Sequence, residues 1–289
     1  MKKESLSGLL LFFVSAIWGM NFIAMKFLFL ELSPVNLILV RFFSGSILLF
    51  LLLLFLEDVK IGFRDFLHFC LLGMSGITIY QFFFTYGLKN TSAVNAALIL
   101  NTGPIYGAIL STLFGFERVN RRQIAGILGG FAGVYIIITK GSLVPGGGHL
   151  KGDFLMVLAS ILWALYTVLS KTQLNKYSPL KVTTYAMVTG SLLLMPLAPF
   201  FLKVHELRDL SAHGWGWFLF AVVFSIVLAF FLWYRGVSRL GAARTMVFQY
   251  AIPVFAGLFA WLILGERLYL SQLVGALVVF GSIALVRRS

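Results

Sequence analysis

The chain has 289 residues, 60% of them hydrophobic and only 11% charged, with a mean hydropathy of +0.96. A water-soluble domain of that size cannot hide so much apolar surface, so lipid must cover much of it. A net charge of +13 would suggest a nucleic-acid partner in a soluble protein, but the basic residues sit in short gaps between apolar runs. That is the pattern of membrane topology, and no nucleic acid is expected.

Met1, Lys2 and Lys3 ahead of an apolar run have the outline of a signal peptide. The run from Leu6 to Leu30 is nevertheless long enough to span a bilayer and no small-residue cleavage site ends it, so it is predicted to be a retained first helix. Ten such segments follow one another, at approximately 6–30, 35–56, 66–88, 93–116, 122–139, 152–174, 180–202, 214–236, 242–264 and 269–286. Most are close to the roughly 20 residues that a helix needs to cross a bilayer. None alternates with the period of two that a transmembrane barrel requires. The expected fold is therefore all-α and integral to the membrane, with ten transmembrane helices, here called helix one to helix ten. Cys70 is the single cysteine, which excludes an intrachain disulfide.

The ten helices are two sets of five. Ser15, Trp18, Lys26, Ser33, Pro34 and Gly45 match Ser160, Trp163, Lys171, Ser178, Pro179 and Gly190 at a displacement of 145 residues. Pro104, Glu117, Arg118, Gln123 and Gly126 match Pro253, Glu266, Arg267, Gln272 and Gly275 at a displacement of 149. A fixed displacement of about half the chain means two copies of one unit. These are read as repeats over 1–145 and 146–289, together one transport domain. The longer connection in the second copy is placed at Lys203 to His213, and Gly141 to His149 is read as a flexible linker between the copies.

Five is an odd number, so the second copy must enter the membrane upside down relative to the first. Charge gives the same answer independently. With both termini in the cytoplasm, fifteen of the 23 Lys and Arg fall on cytoplasmic ends and loops and six outside, with Lys26 and Arg41 within spans. At matched positions the basic member lies on the predicted cytoplasmic side: Arg121 and Arg122 against Leu270 and Ser271, Lys176 and Lys181 against Glu31 and Asn36, Arg239 and Arg244 against Asn90 and Asn95. Two similar units with opposite Lys/Arg bias form an inverted repeat, an arrangement best known in carriers that expose a midplane site alternately to each side.

The candidate site residues follow from the repeats. A proline inside a helix leaves the carbonyl four residues earlier without its donor, so Pro104 frees Leu100 and Pro253 frees Gln249. Freed carbonyls in hydrocarbon are costly and are expected to face protein, water or substrate. Asn101, Gln249 and Tyr250 lie beside them and are candidates for the polar belt of a cavity, with packing against neighbouring helices as the alternative. Ser15, Trp18, Phe22 and Lys26 share one stripe of helix one; Ser160, Trp163, Thr167 and Lys171 repeat it on helix six. Trp18 and Trp163, with Asn21 and Tyr166 beside them, are candidate cavity walls whose indole N–H groups can reach a ligand. Helices three and eight add Tyr80, Phe83, Phe84 and Tyr86 against Trp233 and Tyr234. Pro104 and Pro253 are candidate hinges. Lys26 and Lys171 either snorkel or act as symmetric gates that contact substrate or a carbonyl in one state only. Arg41 is expected near the outer surface, paired with Glu31.

With Trp18, Gly19, Met20, Asn21 and Phe22 in the first helix, Pro104 and Pro253 in helices four and nine, and Gly115-to-Glu117 and Gly265–Glu266 closing those helices, the chain resembles the drug/metabolite transporter superfamily. More narrowly it resembles the EamA-type exporters, which include bacterial amino-acid exporters. The resemblance spans essentially the whole chain. It implies a central cavity lined mainly by helices one to four and six to nine, with five and ten at the edge, and export of small metabolites from the cytoplasm across a bacterial-type inner membrane.

All ten acids fall at helix ends or in loops, which disfavours a proton-coupled pump for cations. A neutral or zwitterionic solute fits best. His68, His149, His205 and His213 lack metal-ligand spacing, and no Walker loop is present, so neither a cofactor, a metal, an ATP motor nor catalysis is expected. The alternatives are a flippase for lipid-linked carriers, an exporter of another metabolite or drug class, and a non-transporting scaffold. Gly126, Gly129, Gly130 and Gly133 of helix five, with Gly275 and Gly281 of helix ten, predict close packing between those helices in a monomer, with a homodimer through helix five as the alternative.

Overall fold

The computed structural model describes residues 2–91, 93–140 and 150–287. The linker Gly141 to His149 predicted between the copies lies outside the described residues. Among the described residues ten helices are long and apolar enough to cross a membrane: Leu6–Leu28, Pro34–Leu56, Phe63–Leu88, Ala96–Leu113, Arg121–Thr139, Leu150–Leu174, Pro179–Phe201, Ala212–Leu240, Ala242–Leu264 and Leu270–Arg287. They are helices one to ten, close to the predicted limits. Many large apolar side chains, among them Leu9, Phe55, Leu113, Leu128, Leu150 and Leu277, remain exposed around the bundle, the surface that lipid covers.

Contacts between the copies obey an exchange rule. Gly45 of helix two is seated so closely on helix eight that a Cβ there would come within 2.6 Å of Ile226. Its match Gly190 of helix seven meets Ile77 of helix three, the match of Ile226, at 2.5 Å. Likewise Gly236 packs on Leu11, and Gly87 on Met156. Equivalent helices run antiparallel where they touch. Along helices four and nine, Gly103 faces Gln249 and Gly107 faces Met246. Along helices five and ten, Gly126 faces Ser282 and Val286, while Gly133 faces Gly275 and Val279, with backbone as near as 2.9 Å to the built Cβ. The matched helices four and nine, and five and ten, thus meet head to tail. The predicted seam between helices five and ten is present, but Gly281 faces open space and takes no part in it.

The loops clamp each other in the same paired way. Ser33, ahead of Pro34, donates its N–H and hydroxyl to Glu206 at 2.8 and 3.0 Å, and Asn36 adds an amide bond at 2.9 Å. Partial desolvation pushes the Glu206 carboxyl up, but these bonds and the one from Lys203 outweigh it and hold it at about 2. At the opposite end Ser178, ahead of Pro179, donates to Glu57, and Lys181 pairs with Asp58. Each carboxylate stands at a helix N-terminus, where the partial positive charge of the unpaired N–H groups favours it.

The helices around the centre are not continuous. Helix four stops at Leu100 and restarts at Gly103, and helix nine passes through a 3-10 stretch at Val247–Tyr250, its match. Helices three and eight each contain a wider π-helical turn, Met74–Ile79 and Phe220–Leu228, again at matched positions. The breaks in four and nine sit just before Pro104 and Pro253, which remove ladder donors; those in three and eight have no proline.

Candidate functional site

Each break frees carbonyl groups, and side chains from the partner copy collect them. Ser160 of helix six donates to the Leu100 carbonyl at 3.2 Å and also meets the hydroxyl of Thr102 at 3.1 Å. Ser15 of helix one donates to the Phe248 carbonyl at 2.8 Å. The Leu100 carbonyl freed by Pro104 is therefore met by protein. Asn101 turns its amide to the Ala97 carbonyl of its own helix, 2.9 Å away, and is half-buried. In helix eight the π turn leaves the Ser225 carbonyl accessible, and the indole of Trp18 donates to it at 3.1 Å.

Above these crossings lies an aromatic cluster. Trp18, Trp163 and Trp233 are mutually in contact, with ring centroids 5.7 Å (Trp18 to Trp163), 5.1 Å (Trp18 to Trp233) and 5.9 Å (Trp163 to Trp233) apart. Tyr80 lies 5.6 Å from Trp163 and stacks on Phe84, while Tyr166 lies 5.7 Å from Trp163 and edge-on to Tyr234. Phe230 closes the cluster against Trp18 and Trp163. Sequence reasoning passed over Phe230; its signal was its position three residues before Trp233, on the same helical face.

The polar atoms of this cluster are unevenly used. The Trp18 indole is committed to Ser225, so it offers a wall and no free donor, contrary to expectation. The indole nitrogens of Trp163 and Trp233 are buried without a hydrogen-bond partner, as are Oδ1 of Asn21, Oε1 of Gln249 and the hydroxyl of Tyr250. Buried polar groups are nearly always paired, and leaving one unmade costs about 1–3 kcal/mol, so the unpartnered indoles make the cluster the candidate site. Tyr250 stands apart: its ring rests on Gly130 of helix five. Gln249 faces helix four at Gly103. Tyr86 stacks on Phe82 at the exposed rim rather than joining the cluster.

The two candidate gates differ. Lys171 donates to the Val237 and Ser238 carbonyls, both at 3.3 Å, at the C-terminus of helix eight. Glu117 accepts the N–H of Ala242, the first residue of helix nine. A cation on the last carbonyls of one helix and an anion on the first N–H of the next both complement the helix dipoles, so the turn between helices eight and nine is tied to the ends of helices four and six. Burial pushes the Glu117 carboxyl up, while the N–H groups of Ala242 and Ala243 and the charges of Lys171 and Arg244 pull it back in part. Lys26 instead pairs with Glu266 at 3.0 Å, with both side chains about half exposed or more. Arg41 is a correction: Glu31 is held by the N–H and hydroxyl of Ser211, and Arg41 is buried inside the bundle.

Known proteins give this geometry a context. The model of the EamA-like transporter family matches twice, over residues 6–139 and 150–288. An uncharacterized transporter of Archaeoglobus fulgidus is 30% identical over 98% of this chain and 97% of its own length. The uncharacterized transporter YyaM of Bacillus subtilis is 30% identical over 90% and 87%. A probable terminal-alkyne amino-acid exporter of Streptantibioticus cattleyicolor is 26% identical over 78% and 74%. A crystal structure 18% identical superposes with a TM-score of 0.82 over 97% of this chain and 96% of that one, a likeness of fold.

Proposed function

The chain belongs to the EamA-like transporter family and is a multi-pass membrane transporter, and we propose that it exports a small neutral or zwitterionic metabolite, such as an amino acid, by alternating access and without ATP. The observation that carries this reading is the pair of unpartnered indole donors of Trp163 and Trp233 inside a cage of aromatic faces. Such a cage takes up an apolar or cationic portion of a solute on its π faces while fixed N–H donors orient its polar portion. The similarity to a probable amino-acid exporter supports the substrate class.

The Lys/Arg bias assigns the Lys171 end to the cytoplasm and the Lys26 end to the outside of a bacterial-type inner membrane, with both termini cytoplasmic. On that assignment we read the state as outward-facing. The cytoplasmic end is tied shut by Lys171 and Glu117, while at the other end Lys26 and Glu266 engage each other. In the opposite state the matched contacts form: Lys26 and Glu266 take the ends of helices three and four, and Lys171 and Glu117 release helices eight and nine. The breaks before Pro104 and Pro253 are the hinges.

The test is counterflow. Purified protein in liposomes preloaded with unlabelled amino acids is expected to accumulate at least one labelled neutral amino acid. No counterflow across a broad amino-acid panel would remove amino acids as substrates.

A further inference from the structure

Among the described residues two cations are buried, Lys181 at 6% exposure and Arg41 at 8%. Lys181 has Asp58. Arg41 has no carboxylate: Nη1 lies against Sδ of Met25 at 2.7 Å, and Nε has no partner at all. A thioether is a weak acceptor, and a guanidinium out of water without a counter-charge is strongly disfavoured unless an anion or water completes it. Charged groups within membrane spans mark sites by default.

The position is specific. Met25 lies seven residues beyond Trp18, hence on the same face of helix one and about 10 Å nearer the Lys26 end. Gly45, one turn beyond Arg41 on helix two, packs on Ile226, the neighbour of the Ser225 whose carbonyl holds Trp18. The guanidinium therefore stands between the tryptophan cluster and the less tightly held end of the bundle. The matched position in the other copy is Ala186, fully buried, so the charge is single and breaks the pseudo-symmetry.

We infer that Arg41 is the carboxylate-binding residue of the site, receiving an anionic carboxylate on its planar fork while the rest of the solute lies on Trp18, Trp163 and Trp233. This deepens the reading given above and rests on it for the solute's zwitterionic form. An arginine fork matches the two oxygens of a carboxylate and gives charge-assisted bonds about twice as strong as neutral ones. Met25 is the placeholder that the carboxylate displaces.

The test uses the purified full chain in detergent, reading thermal stability and tryptophan fluorescence as phenylacetate, phenylacetamide, L-phenylalanine and L-phenylalaninamide are added. Both carboxylates are expected to raise the melting temperature and change the fluorescence, and the amides to do neither. Arg41→Gln should weaken the carboxylate response about tenfold or more, with Arg41→Lys between the two. Equal responses to acids and amides in the unmutated protein, or a carboxylate response that survives Arg41→Gln, would overturn the proposal; the first of these needs no variant to fold. Response to phenylacetate through Arg41 without response to any amino acid would keep the arginine site and sink the amino-acid reading. Amino-acid counterflow undiminished in Arg41→Gln would do the reverse.

Discussion

The two ends of this bundle are built from matched residues yet are held differently. At one end Lys171 and Glu117 grip the turn between helices eight and nine, and the nearby Thr167, Trp233, Tyr234 and Val237 are essentially inaccessible. At the other, Lys26 and Glu266 grip each other, Phe22 is 47% exposed where its match Thr167 is 0%, and Tyr80, Phe84 and Thr85 are only partly buried. The same Lys and Glu can thus either cap a pair of helix termini or neutralise one another. Capping joins three or four helices, whereas a surface ion pair joins two and contributes little. In the proposed mechanism a duplicated fold thus holds two states with one set of parts.

Breaking the capped end should have the largest effect. In a Cys70→Ser background with Val237→Cys, the thiol is expected to be almost unreactive to a maleimide. Removing both Lys171 and Glu117 as alanine variants should raise that rate about tenfold or more, since about 1.4 kcal/mol of lost capping is already a factor of ten. The same double change at Lys26 and Glu266 should leave the rate at position 237 unaltered.

Next comes the seam of helices five and ten, which the proposed mechanism leaves unchanged. Gly133→Leu must push against the backbone of Gly275 and is expected to lower stability by about 1–3 kcal/mol, as read by thermal unfolding in detergent. Gly281→Leu, facing open space, should have no measurable effect.

The tryptophans sharpen the comparison further. Trp18→Phe strips a donor from the Ser225 carbonyl and should cost about 1 kcal/mol of stability. Trp163→Phe removes an indole nitrogen that no protein group uses, so stability should be nearly unchanged while counterflow of the best amino acid falls several-fold.

The smallest effect concerns pH. Burial raises the Glu117 carboxyl, so the capped end binds more protons than the released one. Stability of the cap is then greatest below the ordinary carboxylate value and declines as pH rises through the raised one. The Lys171 end should open as pH rises over that window, and Glu117→Gln should flatten the dependence. Glu206 at the other end behaves oppositely: its carboxyl is held at about 2, so the loop clamp persists above pH 4.5 and is lost only as pH falls toward 2.

Much of this was legible in the sequence. Ten spans, the displacements of 145 and 149, and the prolines of helices four and nine are local features of composition and spacing, and the structure places breaks at Pro104 and Pro253 where missing donors require them. The π turn of helix eight was not legible, because Phe220–Leu228 contains no glycine or proline to mark it. Arg41 misled for a related reason. Its seven-residue distance from the start of helix two suggested a surface partner, but Glu31 is satisfied by Ser211, which lies 180 residues away. Which of two equivalent lysines finds a carbonyl was likewise not legible, because both stripes read alike in the sequence.

The central claim is that the ends close reciprocally, and matched spin labels measure it most directly. One pair, Leu30→Cys with Asn90→Cys, reports the Lys26 end; its equivalent, Asn175→Cys with Arg239→Cys, reports the other, and all four positions are exposed. In liposomes without substrate the first distance should exceed the second by several ångströms. Under turnover with an amino acid that passes the counterflow screen, the first should shorten as the second lengthens. Distances that are equal at rest, or that change together, would contradict the account.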